Sequence, residues 1–105
     1  MKLITAIVNK KDADEVCRSL RENKFYFTKM ATTGGFLTAG NTTLMIVTDD
    51  QSVETVLEII RSHCKKRTVL LPATTSMAHV AMNPAQVIVG GATVFVTNVE
   101  HFEKI

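Results

Sequence analysis

The chain has 105 residues, 46% of them hydrophobic and 21% charged, which is the length and composition of one globular domain with a buried core. Its formal net charge of +2 lacks the basic excess typical of proteins that bind nucleic acid polymers. The apolar start, residues 2–8, is short and is followed by Lys10, Lys11 and Asp12, so neither a signal sequence nor a membrane span is expected. We expect a cytoplasmic protein with a single domain over residues 1–105.

The cysteines and histidines do not form a pattern typical of a metal site. Cys17 and Cys64 fall on apolar positions of predicted helices, which favours buried, reduced thiols over a disulfide. His63 neighbours Cys64, whereas His79 and His101 are isolated, so the paired spacing of metal ligands is missing. We predict no metal and no cofactor.

A strand and a helix are predicted in the first part of the chain. Residues 2–8 alternate with β-branched side chains and predict a largely buried strand. Asp12 and Glu15 form an N-cap signature for a helix that we expect to end near Asn23. The apolar positions of this helix repeat every three to four residues and form one stripe: Ala13, Val16, Cys17 and Leu20.

Two further strands flank a glycine-rich loop. Phe25, Phe27 and residues 29–31 predict the second strand, and residues 42–48 predict the third. The run between them is rich in glycine and in hydroxyl side chains, so this loop is expected to be a hairpin connection.

The next segment repeats the pattern of the first helix. Asp50 or Ser52 is expected to cap a helix that continues to Cys64, with its apolar stripe at Val53, Val56, Leu57 and Ile60. Placing Asp12 over Ser52 superposes the two stripes, which predicts a doubled strand-helix-strand unit. The order βαββαβ predicts a ferredoxin-like α+β fold, an antiparallel sheet with both helices on one face. An apolar face without helices would favour oligomerisation.

The last part of the chain contains a short strand, a loop and a long strand. Residues 69–71 predict a fourth strand, and residues 72–84 predict a polar loop. Residues 86–97 are rich in β-branched side chains and predict the last strand, but Gly90 and Gly91 interrupt it. We expect a bulge there, or a close approach of a ligand or of another part of the backbone.

The run from Thr28 to Thr43 is the candidate binding loop. Gly34 and Gly35 permit positive φ and a close approach of backbone N–H groups to a ligand, and Thr33 adds a hydroxyl. These donors suit an anionic oxygen such as a phosphate, although the same residues would also make a plain hairpin turn.

Together, two motifs resemble the cyclic di-AMP receptor family of PII-like signalling proteins: the run over residues 28–43 and the segment Val89-Gly-Gly-Ala-Thr-Val-Phe-Val96. The resemblance covers nearly the whole chain. It implies cytoplasmic homotrimers of ferredoxin-like subunits, with one dinucleotide bound in each cleft between adjacent subunits. It also implies signalling to a downstream protein by loop rearrangement, without catalysis.

The same resemblance implies which residues contact the nucleotide. Those lining the cleft would be Thr28, Gly35, Phe36, Leu37 and Asn41, and Gly90 with Gly91 would approach it from the neighbouring subunit. Phe36 and Leu37 offer flat apolar contact for a purine, and Asn41 offers a donor and an acceptor for an adenine edge. Each residue has an equally plausible structural role: Phe36 could pack in the core, and Asn41 could cap a turn, instead of contacting a ligand.

The sequence departs from the family pattern at several positions. Lys24 and Tyr26 stand where Asn and Arg are usual, although Tyr26 could stack on a base. Val47 replaces a frequent Gly, Lys104 replaces a C-terminal Gln, and the loop over residues 72–84 is shorter than is typical. The alternative function is therefore a divergent paralogue that acts as an interaction module or senses another small anion or nucleotide.

An enzyme is not predicted. The candidate loop has no His–carboxylate or Cys–His pair near it in sequence, and no Walker-type Lys follows its glycines.

Overall fold

The structure is a computed structural model, and it describes residues 1–32, 40–70 and 86–105. Within these three ranges there are two α-helices and six strands, and a short 3₁₀ turn, Asp50–Ser52, precedes the second helix. In chain order the elements are β1 (Lys2–Asn9), α1 (Lys10–Glu22), β2 (Phe27–Thr32), β3 (Asn41–Thr48), α2 (Val53–His63), β4 (Arg67–Leu70), β5 (Gln86–Val89) and β6 (Ala92–Asn98).

The main sheet is antiparallel and has the strand order β2-β3-β1-β6. The central strand β1 pairs with β3 on one side and with β6 on the other, so β2 and β6 are the two edges. With α1 between β1 and β2, and α2 between β3 and β6, this is the ferredoxin-like βαββαβ arrangement. The predicted fold class is confirmed.

Both helices pack on one face of this sheet. Alternate residues of β1 are fully buried, because successive side chains of a strand point to opposite faces. One core cluster joins the strands to the helices, and its largest fully buried side chains include Ile4, Leu20, Leu44, Ile46, Ile60 and Val16. The apolar stripe of α1 is confirmed: Ala13, Val16, Cys17 and Leu20 are all buried.

The predicted cap of the first helix is wrong. The helix begins at Lys10, and Asn9 is its N-cap, with Oδ1 accepting from the N–H of Lys11 at 2.9 Å. Asp12 therefore lies inside the first turn rather than before the helix. Asn9 caps the helix because β1 leads into it without an intervening loop. The end near Asn23 is confirmed, since this residue is the C-cap.

The start of the second helix agrees with the prediction in part. Ser52 is the N-cap residue of α2, as one of the two predicted alternatives, whereas Asp49 caps the preceding 3₁₀ turn, its carboxylate accepting from the N–H of Ser52 at 2.9 Å. Ser52 makes no side-chain cap bond. In the apolar stripe Val56 and Ile60 are buried as predicted, whereas Leu57 is half-buried and Ile59 is buried in its place.

The predicted last strand, residues 86–97, is two strands in two sheets. β5 pairs with β4 in a separate two-stranded antiparallel sheet, and β6 pairs with β1 in the main sheet. Gly90 and Gly91 lie between them with φ of 87° and 76°, a backbone conformation that side-chain-bearing residues rarely adopt. The chain therefore changes sheets at the two glycines. The predicted fourth strand is β4, which starts earlier, at Arg67, and whose predicted end, Leu71, lies outside the described residues.

Over residues 1–32, 40–70 and 86–105, no helix has the length and apolar character needed to cross a membrane.

Candidate functional site

One face of the main sheet, on which no helix of the described residues packs, presents threonines and apolar side chains. The strand register aligns Thr28, Met45, Thr5 and Phe95 in one row across all four strands. A second row consists of Met30, Thr43, Ile7 and Thr93. Phe95 is 49% exposed and Met30 is 39% exposed, which is high for large apolar side chains. We call this surface the open face.

Two candidate ligand residues lie at the β2 edge of the open face. Thr28 is exposed and lies opposite Met45 of β3. Tyr26 precedes β2 and is 89% exposed. If the β2–β3 pairing is extended by one residue pair beyond Phe27 and Ile46, Tyr26 falls opposite Val47, on the same face as Thr28. The hydroxyl of Thr28 and the ring of Tyr26 are therefore neighbours on an accessible edge.

Asn41 lies farther along the same strands. It is the first residue of β3, opposite Thr32 of β2 and Asn9 of β1. Because Thr32 is four positions after Thr28 in one strand, Asn41 and Thr28 are about 13 Å apart along the sheet. Both are on the open face, but a single small group could not contact the two at once.

Gly90 and Gly91 pack closely against the segment that follows α2. A Cβ atom on Gly90 would lie 2.4 Å from the carbonyl oxygen of Lys65 and 2.9 Å from Nη1 of Arg67. On Gly91 it would lie 2.9 Å from Cγ of Lys66. The expected close approach is confirmed, and the groups that approach are backbone and side-chain atoms of this same chain.

The two glycines and Thr28 are at opposite edges of the main sheet. Gly91 is followed directly by β6, one edge of the sheet, while Thr28 belongs to β2, the other edge. Three strand spacings separate these edges, which amounts to about 14 Å. Within one chain the structure brings Thr28 and Tyr26 together and leaves the glycines apart from them.

The other candidates, Thr33, Gly34, Gly35, Phe36 and Leu37, lie outside the described residues. The described candidates carry no carboxylate, imidazole or thiol. They therefore offer a ligand hydrogen bonds, aromatic stacking and close backbone approach rather than acid–base chemistry. Among residues 1–32, 40–70 and 86–105, no three His, Cys, Asp or Glu side chains are grouped so that they could hold a metal ion.

An ion pair beside the glycines escaped the sequence analysis. Nη2 of Arg67 donates to Oδ1 of Asp12 at 3.0 Å, and Nη1 of Arg67 donates to the carbonyl of Lys65 at 3.2 Å. The Asp12 side chain is only 9% exposed. Its partner is far away in the sequence, so no local pattern signalled the pair.

Cys64 is buried next to this ion pair. The pKa of its thiol is raised to about 11, chiefly by burial and also by the negative charge of Asp12, while the positive charge of Arg67 acts in the opposite direction. Burial likewise raises the pKa of Cys17, against opposing charge from Lys29 and Arg21. Both cysteines are free and buried, so the prediction of reduced thiols is confirmed.

Comparison with known proteins agrees with this architecture. A solved structure, described as a functionally unknown protein from Pediococcus pentosaceus ATCC 25745, is 39% identical in sequence and superposes with a TM-score of 0.78. The match covers 99% of this chain and 96% of that chain. The family model described as "Cyclic-di-AMP receptor" matches residues 1–105. Since this match spans the entire chain, the protein belongs to the cyclic-di-AMP receptor family.

Proposed function

We propose that the protein is a cytoplasmic PII-like signalling protein, a single domain that binds cyclic di-AMP in clefts between the subunits of a homotrimer. Binding rearranges loops and so changes a surface that a downstream protein recognises. Membership of the cyclic-di-AMP receptor family supports a receptor that binds its ligand without turnover.

The separation of the candidate residues within one chain is the observation that carries this proposal. Thr28 and Tyr26 are at the β2 edge, while Gly90 and Gly91 adjoin β6 at the opposite edge, about 14 Å away. If one subunit places its β2 edge beside the glycines of the next, both sets can contact one ligand. A cleft between subunits accounts for the two sets, whereas a pocket within one chain does not.

The open face supports the assembly. Its large apolar side chains, such as Phe95 and Met30, are exposed in the single chain, and contact between subunits would remove them from water. The exposed Thr28 and the half-buried Thr5 give the same surface hydroxyl groups that can pair across an interface.

The chemistry of the candidates matches the parts of a cyclic dinucleotide. Its phosphates need hydrogen-bond donors, which the N–H groups of Gly34 and Gly35 and the hydroxyls of Thr28 and Thr33 supply. Its purines need flat contacts, which Phe36, Leu37 and the exposed ring of Tyr26 supply; Asn41 completes the set with a donor and an acceptor for an adenine edge.

Calorimetric titration of the purified protein with cyclic di-AMP tests the proposal, with cyclic di-GMP and ATP as controls and light scattering for the oligomer. We expect saturable binding of cyclic di-AMP near one per subunit by a trimer. The Gly35→Asp variant places a carboxylate where phosphate should lie and is expected to abolish binding while the trimer persists. Wild-type affinity in that variant would contradict the assignment of the site.

A second candidate is a divergent paralogue that keeps the scaffold but acts as an interaction module or senses another small anion or nucleotide. The observation that favours it is the position of Val47, which directly follows Ile46, the partner of Phe27 at the end of the β2–β3 pairing, so its branched side chain lies beyond that end near the exposed Tyr26. No heat with cyclic di-AMP from a folded trimer would support this candidate. The double variant Val47→Gly, Tyr26→Arg should then gain affinity for the nucleotide. No gain would show that residues other than these two prevent the cleft from binding it.

A further inference from the structure

The guanidinium of Arg67 connects three segments of the chain that are distant in sequence. It contacts Asp12 in the first turn of α1 at 3.0 Å and the carbonyl of Lys65, after α2, at 3.2 Å. Gly90, between β5 and β6, is so close that a Cβ atom there would lie 2.9 Å from Nη1 of Arg67. The absence of a side chain at this position leaves the space that the guanidinium occupies.

The ion pair differs from the other ion pairs among the described residues in its burial. The Asp12 side chain is 9% exposed, whereas the acidic side chains of the other pairs are 55–89% exposed. The second oxygen, Oδ2, is buried and has no hydrogen-bond partner within the described part of the chain. A buried carboxylate depends strongly on its counter-charge, so loss of Arg67 would leave Asp12 without compensation.

The ion pair lies at the base of the two-stranded sheet. Arg67 is the first residue of β4 and lies opposite Val89, the last residue of β5. Within the described residues, β4 and β5 pair with each other and not with the main sheet. Backbone pairing therefore does not fix this small sheet to the main sheet, and the side chain of Arg67 makes a connection from its base to α1.

We infer that the Asp12–Arg67 ion pair is a positioning device that holds the base of the β4–β5 sheet against α1 and so sets the position of Gly90 and Gly91 in the nucleotide site. The part of this inference that concerns the ligand rests on the proposed function. The part that concerns the sheet does not, because it follows from contacts within one chain. Asp12 and Arg67 act here through the glycines rather than by touching the nucleotide.

Hydrogen exchange tests the effect on the sheet. The variants are Asp12→Asn, Arg67→Met and the two combined. The matched control is Arg61→Met, since the partners of Arg61 in the described part of the chain are the exposed carboxylates of Glu54 and Glu58. Exchange in residues 65–70 and 86–91 should become roughly tenfold faster in Arg67→Met, with β3 unchanged. Exchange in the combined variant should be no faster than in Arg67→Met, since each substitution removes the same ion pair.

Titration with cyclic di-AMP tests the effect on the site. Arg67→Met should raise Kd roughly tenfold, within the range of ordinary coupling between sites, while Arg61→Met should leave it within about twofold of wild type. Unchanged exchange in both single variants overturns the inference. Faster exchange with unchanged affinity also overturns it, because the ion pair would then hold the sheet without setting the site.

The outcomes separate this inference from the proposed function. If the unmodified protein does not bind cyclic di-AMP, the proposed function fails together with the ligand part of the inference, and the exchange data still decide whether the ion pair holds the sheet. Asp12→Asn keeps the shape of the side chain, so it provides the comparison if Arg67→Met does not fold, as judged by circular dichroism.

Discussion

Thr28 of the edge strand β2 lies directly opposite Met45 of β3, on the face of the sheet that carries no helix. Thr28 is exposed, while Met45, on the adjacent inner strand, is half-buried. In the homotrimer that we propose, the hydroxyl at this exposed edge would be available to a ligand held by another subunit, and the neighbouring apolar side chains would supply contact area for the assembly.

Thr28→Val tests the contribution of this hydroxyl, since the substitution keeps the β-branched shape and the strand propensity. We expect the affinity for cyclic di-AMP to fall roughly tenfold, because a donor to a charged phosphate is lost, and the free energy of unfolding to change by no more than about 0.5 kcal/mol. Thr97→Val, on the same face at the opposite edge strand, is the control for calorimetric titration. Equal losses in both variants would contradict a specific contact by Thr28.

Gly90→Ala should be strongly destabilising. The new Cβ would lie 2.4 Å from the carbonyl oxygen of Lys65, and the φ of 87° disfavours any side chain, so we expect a loss of about 2 kcal/mol or more. Gly40→Ala is the matched control, because its Cβ would meet no atom of residues 1–32, 40–70 or 86–105 within 4 Å, and it should change stability by less than about 0.5 kcal/mol. Urea unfolding measures the free energy of unfolding of the two variants. Similar losses in both would show that the close approach of Lys65 to Gly90 does not exclude a side chain there.

Leu20→Ala and Leu57→Ala compare the same substitution at two positions of the helical stripes. Leu20 is fully buried, so its loss should cost about 3–4 kcal/mol from lost transfer free energy and the cavity left behind. Leu57 is half-buried and should cost clearly less, about 1–2 kcal/mol. Denaturant unfolding gives both values, and a larger effect at Leu57 would show that it is a core residue after all.

Stability should fall at alkaline pH because of Cys64. The folded pKa of this thiol, about 11, is above its ordinary value of 9.0, so the folded protein keeps a proton that the unfolded chain releases. The stabilising contribution is therefore complete below about pH 9 and is lost as the pH rises toward 11, by on the order of 2 kcal/mol. Urea unfolding at pH 8 and pH 10.5 measures this loss.

Cys64→Ala is the control for the alkaline effect, since it lacks the titrating group while other groups remain. A loss of stability as large as that of the wild type would assign the effect to lysines or tyrosine instead. The same burial should protect both thiols from aromatic disulfide reagents in the folded protein at pH 8, whereas unfolding should expose both of them, Cys17 and Cys64.

The sequence by itself was sufficient to predict the order of the elements and much of the core. The spacing of Ala13, Val16, Cys17 and Leu20 identified the buried face of α1, because the period of a helix determines which side chains share a face. The alternation of residues 2–8 identified β1 for the corresponding reason in strands. The long motif in residues 28–43 and the Gly90–Gly91 pair were enough to indicate the family, since such motifs are properties of the chain alone.

Tertiary structure decided what depends on contacts between distant segments. Residues 86–97 have the composition of one strand, and only the pairing partners, β4 on one side of the glycines and β1 on the other, divide them into two. Asp12 resembled a helix cap from its local pattern, yet its carboxylate is paired with Arg67, a residue far along the chain. Periodicity is a local signal that reports which face of an element is buried, whereas the partner that covers a face or pairs with a charge is chosen by the folded chain as a whole.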